Sequence, residues 1–255
     1  MITGRAPRLA ILRAMRVSIV VPAFNEEKLI AQSLAAMRAA SAAFTRRGWD
    51  TELIVCDNNS TDRTATLARD AGASVVFEPV NQISRARNAG AAKARGDWIV
   101  FVDADSWPTR ELLDGVAEEI ESGATLAGGA TLRYDTDRLD VRIPLALWSA
   151  VSRLMKWAAG SFMFVEAAAF REVGGFSESL YAAEEVELFR RLKRLARTRR
   201  RRIVILHRHP IVSSARKAEL YGWRELWLVL FRFAASRGRS LHSRDDCYPW
   251  YDGRR

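Results

Sequence analysis

Residues 100–105 read Val-Phe-Val-Asp-Ala-Asp, an apolar strand that ends in two carboxylates one residue apart. Apolar side chains bury a strand cheaply, but two aspartates at its end are costly unless something positive meets them. On an extended backbone, side chains at i and i+2 point to the same side, so Asp103 and Asp105 converge on one spot. Hard oxygen ligands that leave coordination positions open suit Mg2+ or Mn2+, which commonly share one or two carboxylates with a substrate's phosphates. The competing reading is a pair of aspartates that merely open a turn after a strand. Asp-x-Asp by itself does not decide between them.

Size and charge narrow the field. With 255 residues, 49% of them hydrophobic, the chain can bury the core of one large domain with appendages. Lys and Arg number 40 against 30 acids, a formal +10 that favours nucleotide phosphates, a membrane surface or nucleic acid as partner. The excess is uneven: Arg199-Arg200-Arg201-Arg202 lies in a basic stretch from Lys193 to Arg208, while acids gather at Asp103 to Glu121 and Glu178 to Glu187. Cys56 and Cys247 make no disulfide framework and fit a reducing compartment. Residues 1–15 form a basic leader without the apolar core and cleavage site of a secretory signal. No run of about 18 apolar residues occurs, so no transmembrane span is expected. The expected location is cytoplasmic, with a peripheral place on the cytoplasmic face of the membrane left open.

These carboxylates must be held by elements, and the first half alternates strand and helix. Strands are predicted at Val17–Val21, Leu53–Cys56, Ser74–Phe77 and Trp98–Val102. Helices are predicted at Glu26–Arg47, from the Asn59–Asp62 caps to Ala71 before Gly72, and at Ile83–Arg95. Such a repeat with short connections implies a parallel sheet covered by helices on both faces, with ligands collecting at the carboxyl ends of the strands. Asp57, Asp103 and the Pro22-Ala23-Phe24-Asn25 turn all fall on that edge. Beyond Pro108 the predicted elements are a helix at Leu112–Ile120, one or two strands around Gly128-Gly129 and a helix over Leu139–Ala159. A strand at Ser161–Val165, a helix at Glu184–Ala196, a strand at Ile203–Leu206 and a final helix at Glu219–Ala235 follow.

In order, five segments resemble a family-2 glycosyltransferase with the GT-A fold. They are Val17–Glu27 (VSIVVPAFNEE), Val55–Asp62 (VCDNNSTD), Ala86–Gly90 (ARNAG), Gly96–Asp105 (GDWIVFVDAD), and Gly174–Leu180 (GGFSESL) followed by Glu184-Glu185. They span roughly residues 16–195 in family order; the last 50 or so residues carry no comparable match. The resemblance implies an α/β fold, a three-layer α/β/α sandwich with a mostly parallel central sheet and a C-terminal helical appendage. Residues 16–215 would be the glycosyltransferase domain, 16–107 its nucleotide-binding half and 108–215 its acceptor half, with 216–255 a helix and tail.

The implied chemistry is transfer of a sugar from a nucleoside diphosphate to an acceptor hydroxyl, inverting and dependent on Mn2+ or Mg2+. Partners would be a nucleoside-diphosphate sugar and a glycan or lipid-linked acceptor. The resemblance gives Asp105 direct contact with the metal and Asp103 the ribose or the metal shell. It sets Asp57, and the loop with Pro22, Ala23, Asn25 and Glu26, against the nucleoside. Arg87-Asn88 matches a pair near the nucleotide, and a helix start favours phosphate there. Glu184-Glu185 replaces the family's usual Glu-Asp, whose second member deprotonates the acceptor, so Glu185 is the implied base. Glutamate is one methylene longer, which calls for a wider acceptor pocket or moves the role to Glu184. Some GT-A enzymes complete the metal site with a late histidine, a place His207 could take.

Each assignment has a plainer counterpart. Asp57 can open a turn, Asn25-Glu26 can cap a helix, Glu184 and Glu185 can favour a helix N-terminus, and Arg85 can be a solvated basic face. Arg216, in a polar loop, could close over the diphosphate as a lid. The apolar 219–235 helix with flanking arginines fits either core packing or a bilayer interface, which makes an anionic membrane surface a further candidate partner. A dinucleotide-binding oxidoreductase is excluded because Pro22–Glu26 stands where Gly-x-Gly-x-x-Gly is needed. An RNA-binding protein would need an aromatic RNP-like motif that is lacking, so no nucleic-acid partner is expected. A nucleotidyltransferase of similar fold is the remaining alternative, although the first strand is not followed by a Gly-rich loop with Lys.

Overall fold

The computed structural model describes residues 14–216, 239–247 and 251. In chain order the first half holds β1 (Arg16–Ala23), α1 (Ile30–Ala40), α2 (Ala42–Thr45), β2 (Asp50–Asp57), α3 (Thr64–Asp70), β3 (Ser74–Phe77), α4 (Ile83–Lys93) and β4 (Trp98–Val102). The second holds β5 (Ser106–Trp107), α5 (Arg110–Glu121), β6 (Thr125–Tyr134), α6 (Leu139–Met155), β7 (Phe162–Glu166), α7 (Ala167–Glu172), α8 (Glu184–Thr198) and β8 (Arg202–Ser213). All eight strands join one sheet in the order β3-β2-β1-β4-β7-β6-β8-β5. Strands β3, β2, β1 and β4 run parallel, as do β6 and β8, whereas β7 and β5 are antiparallel to their neighbours.

Strand β1 sits centrally and is buried almost throughout, as a strand covered on both faces must be. Its side chains alternate between two cores. Val17, Ile19 and Val21, with Val100 and Phe164, pack on α1, α2 and α5. Val20, with Ile99, Phe101 and Met163, packs on α7 and α8. The result is the three-layer arrangement that the strand-helix alternation predicts. Helix α4 approaches β1 closely because residue 90 is glycine: a Cβ there would stand 2.4 Å from Val20 Cγ1.

Strand order reverses at β1 while the strands stay parallel, since the order runs outward through β2 and β3 and returns to β4 on the other side. Such a switch point opens a crevice outside the carboxyl ends of β1 and β4. Ala23 and Asp103 stand at those two ends.

Several boundaries differ from the sequence reading. The predicted Glu26–Arg47 helix begins as a turn, with the Glu26 carbonyl accepting from Leu29 N and Ile30 N at 3.0 and 2.9 Å. It divides at Ser41, whose hydroxyl donates to the Arg38 carbonyl at 2.7 Å in competition with the helical ladder. Residues 125–134 form one strand, the first of the two alternatives read from the sequence. Strand β8 runs on to Ser213 across a bulge: Leu206 pairs with Ala130 and Ile211 with Leu132, so residues 207–210 stand opposite a single residue. The predicted 219–235 helix and nearly all of the leader lie outside the described residues. Among the described residues, no helix is long and apolar enough to cross a membrane.

Candidate active site

The crevice is lined by the β1 end and its turn (Pro22, Ala23, Phe24, Glu26), by Asn58 after β2, by Asn81 and Ile83 at the start of α4, and by Asp103 and Asp105 after β4. Tyr251 closes its rim from the far end of the chain. The turn after β1 is stitched to the turn after β2. Asn25 takes a left-handed backbone (φ 52°), which asparagine tolerates, and its side-chain oxygen accepts from Thr61 N at 2.8 Å. Glu26 N donates to Thr64 Oγ1 at 2.7 Å. Asp57 accepts from Ser60 N at 3.2 Å, so its carboxylate does open a turn, and Asn58 lines the crevice beside it. Asn25 thus holds the loop instead of lining the crevice.

Beneath the aspartates lies a buried ion cluster centred on Arg87. This side chain is 1% exposed. Nη2 donates to Asp103 Oδ1 at 3.0 Å and to the Gly160 carbonyl at 2.8 Å, and Nη1 donates to Glu184 Oε1 at 2.6 Å. The guanidinium also stands 5.3 Å from the Phe176 ring centroid, a cation–π contact. Burial works against the charge of Arg87, but Asp103, Glu184 and Glu185 outweigh it and hold the pKa above its ordinary value. The neighbouring Glu185 carboxyl is pushed up to about 8, first by burial and then by the charge of Glu184, with Arg87 opposing. Glu184 reaches the crevice through this relay, and neither Glu184 nor Glu185 lines it. The residue that introduces them, Ala183, is held at φ 59°, a conformation that costs alanine roughly 1 kcal/mol or more.

Asn88 turns away from the crevice. Its amide donates to the Phe176 carbonyl at 2.9 Å, and its oxygen accepts from Phe176 N at 2.9 Å. It therefore clamps the Gly-Gly-Phe loop that leads to Glu184. Arg85 pairs with Glu78 at 3.1 Å and Glu178 at 2.7 Å, so acids take it up and it is not a solvated basic face.

From the other side, the end of β8 delivers a cation. Arg216 Nη2 lies 2.7 Å from Glu26 Oε2 and 4.0 Å from Asp105 Oδ2. Its position follows from two anchors: Ser214 N donates to the Asp105 carbonyl at 3.0 Å, and the Ser106 and Ser213 hydroxyls meet at 2.6 Å. Tyr134 stands close enough that burial, Asp105 and Asp103 together push its phenol up to about 12. No periodicity singled out Tyr134, Asn58 or Tyr251.

His207 is not part of this assembly. The bulge in β8 carries His207 and His209 out to an exposed groove against α5, lined also by Glu111 and Leu206. The sequence reading took the strand to end at Leu206, which would have freed both histidines for the strand ends; the strand continues, and they bulge sideways instead. Among the described residues, no group of three or more His, Cys, Asp or Glu side chains could hold a metal ion.

The sequence pattern described as Glycosyl transferase family 2 matches residues 18–172. The chain belongs to glycosyl transferase family 2. An uncharacterized glycosyltransferase of Mycobacterium bovis is 36% identical over 113 residues, covering 44% of this chain and 47% of that one. The undecaprenyl-phosphate 4-deoxy-4-formamido-L-arabinose transferase of Pseudomonas fluorescens is 32% identical over 120 residues, 44% of this chain and 34% of that one. The chain thus spans about half or less of these relatives. The mannosyltransferase PcManGT of Pyrobaculum calidifontis, solved with GDP-Man and Mn2+, superposes with a TM-score of 0.65 at 19% identity, over 91% of this chain and 64% of that one. At that identity the likeness establishes the fold, which is GT-A.

This glycosyltransferase offers two carboxylates, Asp103 and Asp105, at the edge of one crevice. Two hard oxygen donors without a third side chain suit a cation that shares its remaining positions with a diphosphate rather than one caged by protein. Arg216 beside Asp105 shows that this edge attracts positive charge. The residues present fit a divalent cation.

Proposed function

We propose that this family-2 glycosyltransferase moves a sugar from a nucleoside-diphosphate sugar to an acceptor hydroxyl, with inversion at the anomeric carbon. The observation that carries this reading is the Arg87 bridge, which ties Asp103 at the donor crevice to Glu184 beside Glu185. In the reaction the acceptor oxygen forms a bond to the anomeric carbon as the bond to the diphosphate oxygen breaks. The hydroxyl proton passes to Glu185, whose raised pKa suits a base working near neutral pH. Arg87 fixes Glu184 and Asp103, so Glu185 stands on a preorganised wall.

Pro22, Ala23 and Asn58 receive the nucleoside, with Asn25 and Glu26 holding that loop and Asp57 fixing the turn that carries Asn58. Asp105 and Asp103 would hold Mn2+ or Mg2+, which supplies charge neutralisation to the departing diphosphate. Arg216 adds a second positive charge on the same side once it exchanges Glu26 for phosphate. A polyprenyl-linked or cell-envelope glycan is the acceptor class we favour, supported by the Pseudomonas fluorescens relative, whose name carries undecaprenyl phosphate.

Calorimetry with UDP-, GDP- and dTDP-sugars in Mn2+, repeated with EDTA, tests the reading together with a donor-turnover assay. One nucleotide class should bind in a metal-dependent way, and Asp105→Asn should lose turnover. Normal turnover by that variant, or full activity in chelator, overturns it.

A further inference from the structure

Helix α6 leaves an apolar stripe uncovered. Leu147 is 68% exposed, Leu154 82% and Met155 42%. Leu147, Ala150 and Leu154 follow one another at three and four residues, so they share one face of the helix, and Ala150 is exposed as well. A single exposed leucine is ordinary; a row of them on one helix face marks a contact surface.

The charge at the end of this stripe differs by side: Arg153 and Lys156 share a groove with Asp114, Glu118 and Glu119 of α5, whereas the side toward α8 is basic. Arg153 and Lys156 are exposed at the end of α6. Lys193 of α8 donates to the Met155 carbonyl and stands 5.7 Å from the Trp157 ring centroid. Its pKa is drawn below the ordinary value by burial and then by Arg197, Lys156 and Arg190, so these cations crowd one another. The Arg199–Arg202 run is a poorer anion site, because Arg199, Arg201 and Arg202 pair with Glu172, Glu166 and Glu119.

We propose that the α6 face bearing Leu147, Leu154 and Met155 rests on an anionic lipid bilayer, with the Lys156–Lys193–Arg197 patch against its headgroups. An exposed apolar face flanked by crowded cations is what an interfacial helix presents, and the crowding asks for an array of anions rather than one carboxylate. The placement also bears on the site. Four residues after Lys156, the Gly160 carbonyl accepts from Arg87, so the docked face adjoins the buried ion cluster. This docking stands apart from the transfer reading, because it is measured without turnover.

The test is co-sedimentation of the full chain with phosphatidylcholine vesicles, with and without about a third phosphatidylglycerol, at low and high salt. Binding to the anionic vesicles is expected, weakened by salt. Leu147→Asp/Leu154→Asp and, separately, Lys156→Glu/Arg197→Glu should each lower it at least about tenfold, with nucleotide binding retained as the sign of a folded protein. Absence of wild-type binding at low salt overturns the proposal, as does wild-type binding by either folded variant. So does a concentration-dependent dimer that the leucine variant disperses while vesicles bind nothing.

Discussion

With one guanidinium set against Asp103, Glu184 and Glu185, burial raises both glutamates, and Glu185 is pushed up to about 8. As a base it works only when ionised, so kcat/KM should climb with pH and level off above about 8. Glu185→Gln should remove that limb and lower kcat by roughly 100- to 10,000-fold. The same shift acts on stability with the opposite sense. Unfolded Glu185 releases its proton at its ordinary, lower value, so between that value and about 8 the folded state holds the extra proton, and stability falls as pH rises. Denaturant midpoints measured across that interval should therefore decline in the wild type and decline less in Glu185→Gln. Arg87 is the converse case. Arg87→Met takes the partner from the buried Glu184 and the half-buried Asp103 and should cost about 3–5 kcal/mol of unfolding free energy. Adding Glu184→Gln should return part of it in a double-mutant cycle, and an additive cycle would mean that the two side chains do not interact.

At the scale of elements, the approach of α4 to β1 can be tested at one atom. Val20 is fully buried and branched at Cβ, so it has little freedom to move from the methyl that Gly90→Ala would place 2.4 Å from its Cγ1. Overpacking of that kind costs about 1–3 kcal/mol, readable as a lower melting temperature. The parallel half was legible in the sequence because its strands are continuous apolar runs with turn residues between them. The second half was less so. Strand β5 has two residues, too few for any pattern, and the bulge that displaces His207 and His209 leaves no periodic trace. Of the site, Asp103, Asp105 and Glu184-Glu185 stood out by motif. Their connection did not, since Arg87 meets partners 16 and 97 positions away and could be read only as one of a pair near a nucleotide. Asn88 and Asn25, read from sequence as near the nucleotide, hold loops in the structure.

Over the whole molecule, cations meet acids at several places among the described residues where the chain folds back on itself. Three of the four arginines in the 199–202 run are taken up by glutamates on neighbouring elements, which leaves the +10 excess to act elsewhere. Among the described residues a long return is made by Arg216, 190 positions from Glu26, which brings a side chain from the end of the sheet to the aspartate edge. In the structure Arg216 offsets Glu26 and Asp105, carboxylates that a divalent cation could otherwise engage. Donor entry should therefore release it from Glu26 and turn it toward phosphate, where its charge counts most as the leaving group becomes anionic. Arg216→Ala should then lower kcat by about 100-fold or more, while nucleotide affinity measured by calorimetry changes much less. Equal losses in binding and turnover would mean that Arg216 grips the donor uniformly, and an unchanged rate would reduce it to a fastener for the loop after β8. The first result is expected because Glu26, Asp105 and the phosphates compete for one guanidinium, and the competition tilts toward phosphate as its negative charge grows.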